Sequence, residues 1–151
     1  MRDSIHPKLL NMEKGLLHLH SILRWLILLF LLLTLFQAMS KSAGVKKTSL
    51  FLLIFAHTTF IIGLYQVYRI AQTLPAGTEI MKNKMFRFFL IEHPLAMLIS
   101  VVLITIARRK AKALNYKAVT WLLLIALLLI LAAVPWPFRE IVGRPWFPGM
   151  N

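Results

Sequence analysis

The chain has 151 residues, of which 59% are hydrophobic and only 15% charged, and its mean hydropathy is +0.74. A soluble domain of this length carries nearer a quarter charged residues, so the composition indicates a single membrane domain in the lipid bilayer. The net charge of +13 does not point to nucleic acid, because the Lys and Arg residues stand at the ends of apolar runs. Anionic lipid headgroups are the expected partner there. Cysteine is absent, which excludes disulfides, thiolate-held iron–sulfur clusters and covalent c-type haem.

Four apolar runs are long enough to cross a bilayer, since a spanning helix needs about 20 apolar residues. They predict an all-α fold, namely an up-down bundle of four transmembrane helices that occupies residues 1–151 as one domain. The first run is too long for the apolar core of a secretory signal peptide, and no cleavage pattern follows it. The predicted spans cover residues 16–38, 48–71, 85–107 and 118–134.

The segments between the runs suggest how the chain sits in the membrane. Basic loops are predicted at 40–47 and 108–117, and a loop with proline and glycine at 72–84. The tail, 135–151, mixes proline, tryptophan, phenylalanine and arginine, which is typical of a segment at the membrane–water interface. The density of Lys and Arg in the two basic loops favours placing them in the cytoplasm. Four spans then put both termini outside.

The main functional signal is a set of four histidines in or near these runs: His18, His20, His57 and His93. Ionisable side chains in hydrocarbon usually face the bundle interior and serve a function there. His20 lies six residues into the first run from Lys14, and His93 lies six residues into the third run from Arg87. Both helices start on the same side, so the imidazoles should share a depth of roughly 9 Å. The first and third helices are diagonal across an up-down bundle, so the pair could hold a haem by both axial positions.

Other polar residues in the runs leave alternatives open. His57 should lie about 18 Å deep on the same axis, so it is a substitute ligand if the helices are staggered, or part of a second site. Arg24 is one turn from His20 on the same face and needs a partner: a haem propionate, Glu92 or backbone carbonyls. Pro94 should loosen the third helix. Each histidine could instead only hydrogen-bond a carbonyl or hydroxyl of a neighbouring helix.

Four segments carry a resemblance to a known group of proteins. They read HLHSILRW in the first run, FAHTTFIIGLY in the second, RFFLIEHPLAMLISVVLITIARRK in the third and VPWPFR after the fourth. Together they resemble small four-helix bacterial inner-membrane proteins labelled cytochrome b, over roughly residues 16–139. The resemblance implies a haem b protein of the cytoplasmic membrane that transfers electrons, with termini in the periplasm. The matching positions are His20, His57 and His93, with Arg24 beside them.

Three functions are compatible with these patterns. The first is a b-type cytochrome that exchanges electrons with a quinone pool or a membrane redox partner. Its haem iron would be ligated by His20 and His93, with His57 as substitute, and the cofactor rather than a catalytic residue would do the chemistry. The second is an accessory subunit of a larger respiratory, secretion or transport complex, with structural histidines. The third is a proton or metal-ion carrier, although the short chain without inverted repeats argues against an alternating-access transporter.

Overall fold

The computed structural model describes the backbone of residues 5–146 and the side chains of residues 14–146. This part of the chain is helical and contains no strand. Four helices in it are long and apolar enough to cross a membrane, α1 from Lys14 onward. The predicted all-α architecture with four such helices is therefore confirmed, and it fits a multi-pass membrane protein. The helices are α1 (Ile5–Met39), α2 (Val45–Gln72), α3 (Lys84–Lys112) and α4 (Tyr116–Ala133).

The helices form a ring in chain order. Each packs against the helix before and after it, and α1 also packs against α4, so α1 and α3 lie on one diagonal. The connections 40–44, 73–83 and 113–115 join antiparallel neighbours. We call the end of the bundle that holds 40–44 and 113–115 the loop end. The opposite end, where α1 and α3 begin and where α2 and α4 finish, is the terminal end.

The best-packed part of the bundle lies toward the loop end. One large side chain from each helix is almost completely buried there: Leu31, Leu52, Ile104 and Leu123. Small buried residues on α3 and α4, including Ala107, allow the two backbones to approach closely. Many large apolar side chains point outward, as expected of helices that meet lipid. The half of the bundle toward the terminal end is less tightly filled.

The third helix extends further than the sequence predicted. The basic loop expected at 108–117 is helical as far as Lys112, and only 113–115 connect α3 to α4. Lys, Arg and Ala are good helix formers, and cations in the last turn are favoured by the helix dipole. The next helix begins at a side-chain cap, because Asn115 accepts a hydrogen bond from the Ala118 amide.

Pro94 interrupts the regular hydrogen bonding of α3, as its ring and missing N–H predict. The helix begins with an α turn at Lys84–Arg87, widens to a π turn at Phe88–Glu92, and becomes α-helical again at His93. The His93 amide bonds to the Phe88 carbonyl, five residues earlier. Turns of this kind often accompany functional sites. This one immediately precedes a histidine singled out by the sequence.

Candidate functional site

A cavity of about 310 Å³ opens between the helices at the terminal end. Its volume falls at the lower limit of those typical of small-molecule sites. The deeper wall is apolar and is formed by Ile27, Ile104 and Ile130. The remaining wall contains all the ionisable groups, which come from α1, α3 and the tail. Those groups are Lys14, His18, His20, Arg24, His93 and Arg144.

The two histidines that the sequence placed at one depth face each other across this cavity. The ring centroids of His20 and His93 are 6.4 Å apart, with the ring planes inclined by 60°. A direct hydrogen bond between two imidazoles would bring their centroids within roughly 5.2 Å, so the rings are too far apart to bond each other. Two imidazoles on opposite sides of one metal ion have centroids roughly 6.4 Å apart, given metal–nitrogen bonds of about 2.0–2.1 Å. The observed separation of 6.4 Å equals the distance expected for two imidazoles on one metal ion.

Hydrogen bonding fixes the protonation of the His93 ring. Its Nδ1 lies 2.8 Å from the carbonyl oxygen of Ala133, the last residue of α4. A carbonyl only accepts, so Nδ1 carries a proton, and in the neutral ring Nε2 keeps its lone pair. The carbonyls in the last turn of a helix have no partner within that helix, which makes Ala133 available. Histidines that bind metals are usually held in this way, with one nitrogen on a carbonyl and the other free to ligate.

The His20 ring is packed closely but is incompletely hydrogen-bonded. The Thr59 carbonyl approaches the ring from α2, whereas His20 Nδ1 is buried and has no hydrogen-bond partner in the described part of the chain. Leaving such an atom unpaired costs about 1–3 kcal/mol. A Cβ atom at Gly63 would lie 3.3 Å from His20 Cε1, so the glycine gives the ring its space. His20 therefore has an unsatisfied polar atom within the cavity wall.

Arg24 finds one of its three predicted partners, a backbone carbonyl. Its Nη2 donates to the Trp146 oxygen at 2.8 Å, and its guanidinium carbon lies 5.3 Å from the Trp25 ring centre. Its Nε is buried without a partner among the described residues. The suggestion that Glu92 pairs with Arg24 was wrong: Glu92 is exposed and forms an ion pair with Arg87 at 2.7 Å. The π turn carries Glu92 to the outside of the bundle.

The structure does not bring His57 to the cavity. His57 is exposed on the outer face of α2, and its Nδ1 bonds to the Leu53 carbonyl of the same helix at 2.9 Å. His18 is also exposed and reaches only the cavity wall near the surface. Of the three predicted ligand positions, two converge, and they are those on the diagonal helices.

The sequence missed the contribution of the tail to the site. Residues 135–146 fold over the terminal end, where Trp146 packs against Trp25 with a centroid separation of 6.0 Å. Arg144 lies over the Phe89 ring at 4.9 Å and lines the cavity. The only signal was the pairing of tail arginines with aromatic residues, which we interpreted as contact with headgroups. The interfacial position predicted for 147–151 lies outside the described residues.

Charge and donor type restrict what the cavity can hold. No Asp or Glu is among the described residues that line it, whereas Lys14, Arg24 and Arg144 are. No group of three or more His, Cys, Asp or Glu residues in the described chain is placed to hold a metal ion. The arrangement offers two facing imidazoles, a third near the surface from His18, and three cations, which suits an anionic molecule that brings most of the ligands of its metal with it.

These features define a class: a four-helix protein with spans of membrane-crossing hydropathy and a histidine-bearing, cationic cavity near one end of the bundle. Comparison of the chain with protein-family models, with curated proteins and with solved structures finds no match.

Proposed function

We propose that this protein is a membrane-embedded b-type cytochrome, an electron carrier whose non-covalent haem b is ligated by His20 and His93. The observation that carries the proposal is the opposition of the two imidazoles at a centroid distance of 6.4 Å. The hydrogen bond from His93 to Ala133 supports it, because that bond leaves Nε2 available and raises its basicity.

The donor set favours haem over a bare metal ion. A structural zinc site has four protein ligands, and a catalytic one usually has three. Haem brings most of the ligands of its iron with it, so the protein would supply only two, from His20 and His93. Two imidazoles are enough for haem and too few for zinc. The described residues that line the cavity include no carboxylate or thiolate that could add a ligand.

The cations of the cavity support the same ligand. Haem b carries two propionate groups, and arginine is the side chain best suited to bind carboxylates. Arg24 retains a buried Nε without a partner among the described residues, and Arg144 lines the same cavity. The apolar wall of Ile27, Ile104 and Ile130 would receive the apolar part of the macrocycle. Lys14 is a further cation near the surface.

When bound, haem would supply reversible one-electron transfer, while the chain binds, orients and shields it. Because the histidines stand at the terminal end of the bundle, electrons would exchange with a membrane redox partner or the quinone pool on that side. Four helices of membrane-crossing hydropathy support a membrane location, and we propose the bacterial inner membrane as that location. The alternative is an accessory role in a larger complex, and the visible spectrum of the purified chain distinguishes it from an electron carrier.

The test is a visible spectrum of the full chain, purified in detergent from cells supplied with excess haem precursor, before and after dithionite. We expect the reduced protein to show a sharp α band and Soret band typical of b-type haem. His20→Ala and His93→Ala should each lose the spectrum, and His57→Ala is the matched control that should keep it. A helical, monodisperse protein without visible absorption would overturn the proposal and favour the accessory subunit.

A further inference from the structure

The loop end of the bundle carries a high density of positive charge. Eight cationic residues belong to its two connections and the adjoining helix turns, and seven of the eight are exposed. None of the described acidic residues belongs to this end: Glu79, Glu92 and Glu140 all lie toward the opposite end. The eight are Lys41, Lys46, Lys47, Arg108, Arg109, Lys110, Lys112 and Lys117.

Two cations at the terminal end have an acidic partner, unlike those at the loop end. Lys82 pairs with Glu79 at 2.7 Å, and Arg87 pairs with Glu92 at the same distance. Two arginines of the tail lie over phenylalanine rings at less than 5 Å. At the loop end the charges have no acidic partner within the described chain, so their field acts outward.

The helical framework holds the cations of the loop end together. Arg108, the one cation there that is not exposed, donates from Nη1 to the Lys46 carbonyl and to Ser49 Oγ, which ties α3 to α2. Arg109 and Lys110 follow within the last turns of α3 and point outward. These charges therefore stand on packed helices and not on a long loop, so little order is lost when they bind a ligand.

A shallow groove runs along one face of α3 near its end, where apolar and cationic side chains stand side by side. These residues are Ile106, Arg109 and Lys110 on α3 and Ala113 directly after it. Ile106 is one helical turn before Lys110, on the same face and nearer the middle of the span. An apolar side chain deeper in the bilayer with cations above it matches the order of a phospholipid, whose acyl chain lies below its phosphate.

We infer that the loop end is a docking surface for anionic phospholipids, and that this groove receives one of them. Arg109 and Lys110 would bind the headgroup phosphate, and Ile106 would contact the start of the acyl chain. The surrounding cations would attract further anionic lipids. The position argues for lipid and against nucleic acid, because cations within one turn of an apolar span lie in the headgroup layer of a bilayer. The inference stands on the charges alone and does not rest on haem binding.

The test uses the full chain in detergent micelles, titrated with dioleoylphosphatidylglycerol or dioleoylphosphatidylcholine, with bound lipid counted by native mass spectrometry. We expect phosphatidylglycerol to bind more tightly than phosphatidylcholine, and the preference to decline with added salt. The double variant Arg109→Gln/Lys110→Gln should bind phosphatidylglycerol about ten-fold more weakly. Glutamine favours helix, and both positions are exposed, so the variant should keep its helical circular dichroism.

The matched control is Lys82→Gln/Lys84→Gln, which removes two exposed cations from the terminal end. It should bind phosphatidylglycerol as the parent chain does. Equal affinity for both lipids, or equal losses in the two double variants, would overturn the inference, since either result means there is no site at the loop end. Binding of a DNA oligonucleotide that outcompetes the lipid would overturn it as well.

Discussion

The two ends of this bundle differ in packing and in the direction of their charged side chains. Toward the loop end, one large apolar side chain from each helix is fully buried, and the cations point outward. Toward the terminal end, a cavity replaces the packed core, and histidines and arginines point into it. Packing stabilises the first region, whereas the second retains polar atoms without partners among the described residues. A bundle of four apolar helices can thus keep its fold at one end and accommodate a ligand at the other.

The largest effect that would test this contrast is complete loss of haem from His93→Ala. The alanine cannot ligate iron, so we expect no haem per chain after purification, against stoichiometric haem in the parent. The variant removes the hydrogen bond to the buried Ala133 carbonyl and leaves that acceptor without its partner, so the free energy of unfolding of the haem-free chain should fall by about 1–3 kcal/mol. Denaturant titration of both haem-free proteins measures this. A variant that fails to fold would show that the terminal end is also needed for folding, which would contradict the difference between the two ends.

The opposite result is expected from Leu123→Ala in the packed region. Leu123 is completely buried on α4, and a leucine replaced by alanine at such a position costs about 2–5 kcal/mol. The free energy of unfolding, measured in mixed micelles with a denaturing detergent, should fall by that amount. Haem per folded chain should remain that of the parent, because Leu123 does not line the cavity. Loss of haem in a folded Leu123→Ala chain would mean that the two regions are coupled.

A smaller effect should come from Gly63→Ala, which acts on the site through one methyl group. The added Cβ would lie 3.3 Å from His20 Cε1, a distance at which the imidazole must shift by a few tenths of an ångström. We expect haem affinity to fall by about ten-fold, equivalent to roughly 1.4 kcal/mol. Haem titration of the apoprotein measures it. Gly15→Ala is the control, since a Cβ there meets nothing within 4 Å, and an equal loss of affinity in both variants would contradict the proposed role.

The sequence predicted the fold better than it predicted the site. Hydropathy alone gives four spans, because only helices of that length can satisfy their backbone within hydrocarbon. Equal distances from the span starts also predicted that His20 and His93 would meet. The direction of His57 could not be predicted, because α2 has apolar residues around its whole circumference and no polar face marks the outside.

The contacts of the tail could not be predicted either. Arg24 bonds to a carbonyl more than a hundred residues away, at Trp146, and any residue type can offer a carbonyl. Glu92 was misplaced because the π turn adds a residue to the turn and changes which side of α3 that residue occupies. Contacts of these kinds depend on tertiary packing and on local departures from helical periodicity. Pro94 indicated that α3 would depart from regular geometry, but it did not indicate to which side Glu92 would turn.

The smallest perturbation addresses how the two ends face the membrane. The chain has no cysteine, so one introduced at an exposed position of a connection gives a unique label site. Ser42→Cys lies in the connection at the loop end and Ala76→Cys in the one at the terminal end, and both positions are exposed. Neither should change stability by more than about 0.5 kcal/mol.

Because cations concentrate in short cytoplasmic loops, a membrane-impermeant maleimide should label Ala76→Cys in intact cells and leave Ser42→Cys unlabelled until the membrane is opened. That pattern would place the cationic surface against the anionic cytoplasmic leaflet and the histidine cavity near the outer face, where its electron partner must then be sought. The reverse pattern would put the cavity on the cytoplasmic side. The loop end would then lie on the outer side, away from the anionic leaflet that we expect it to bind.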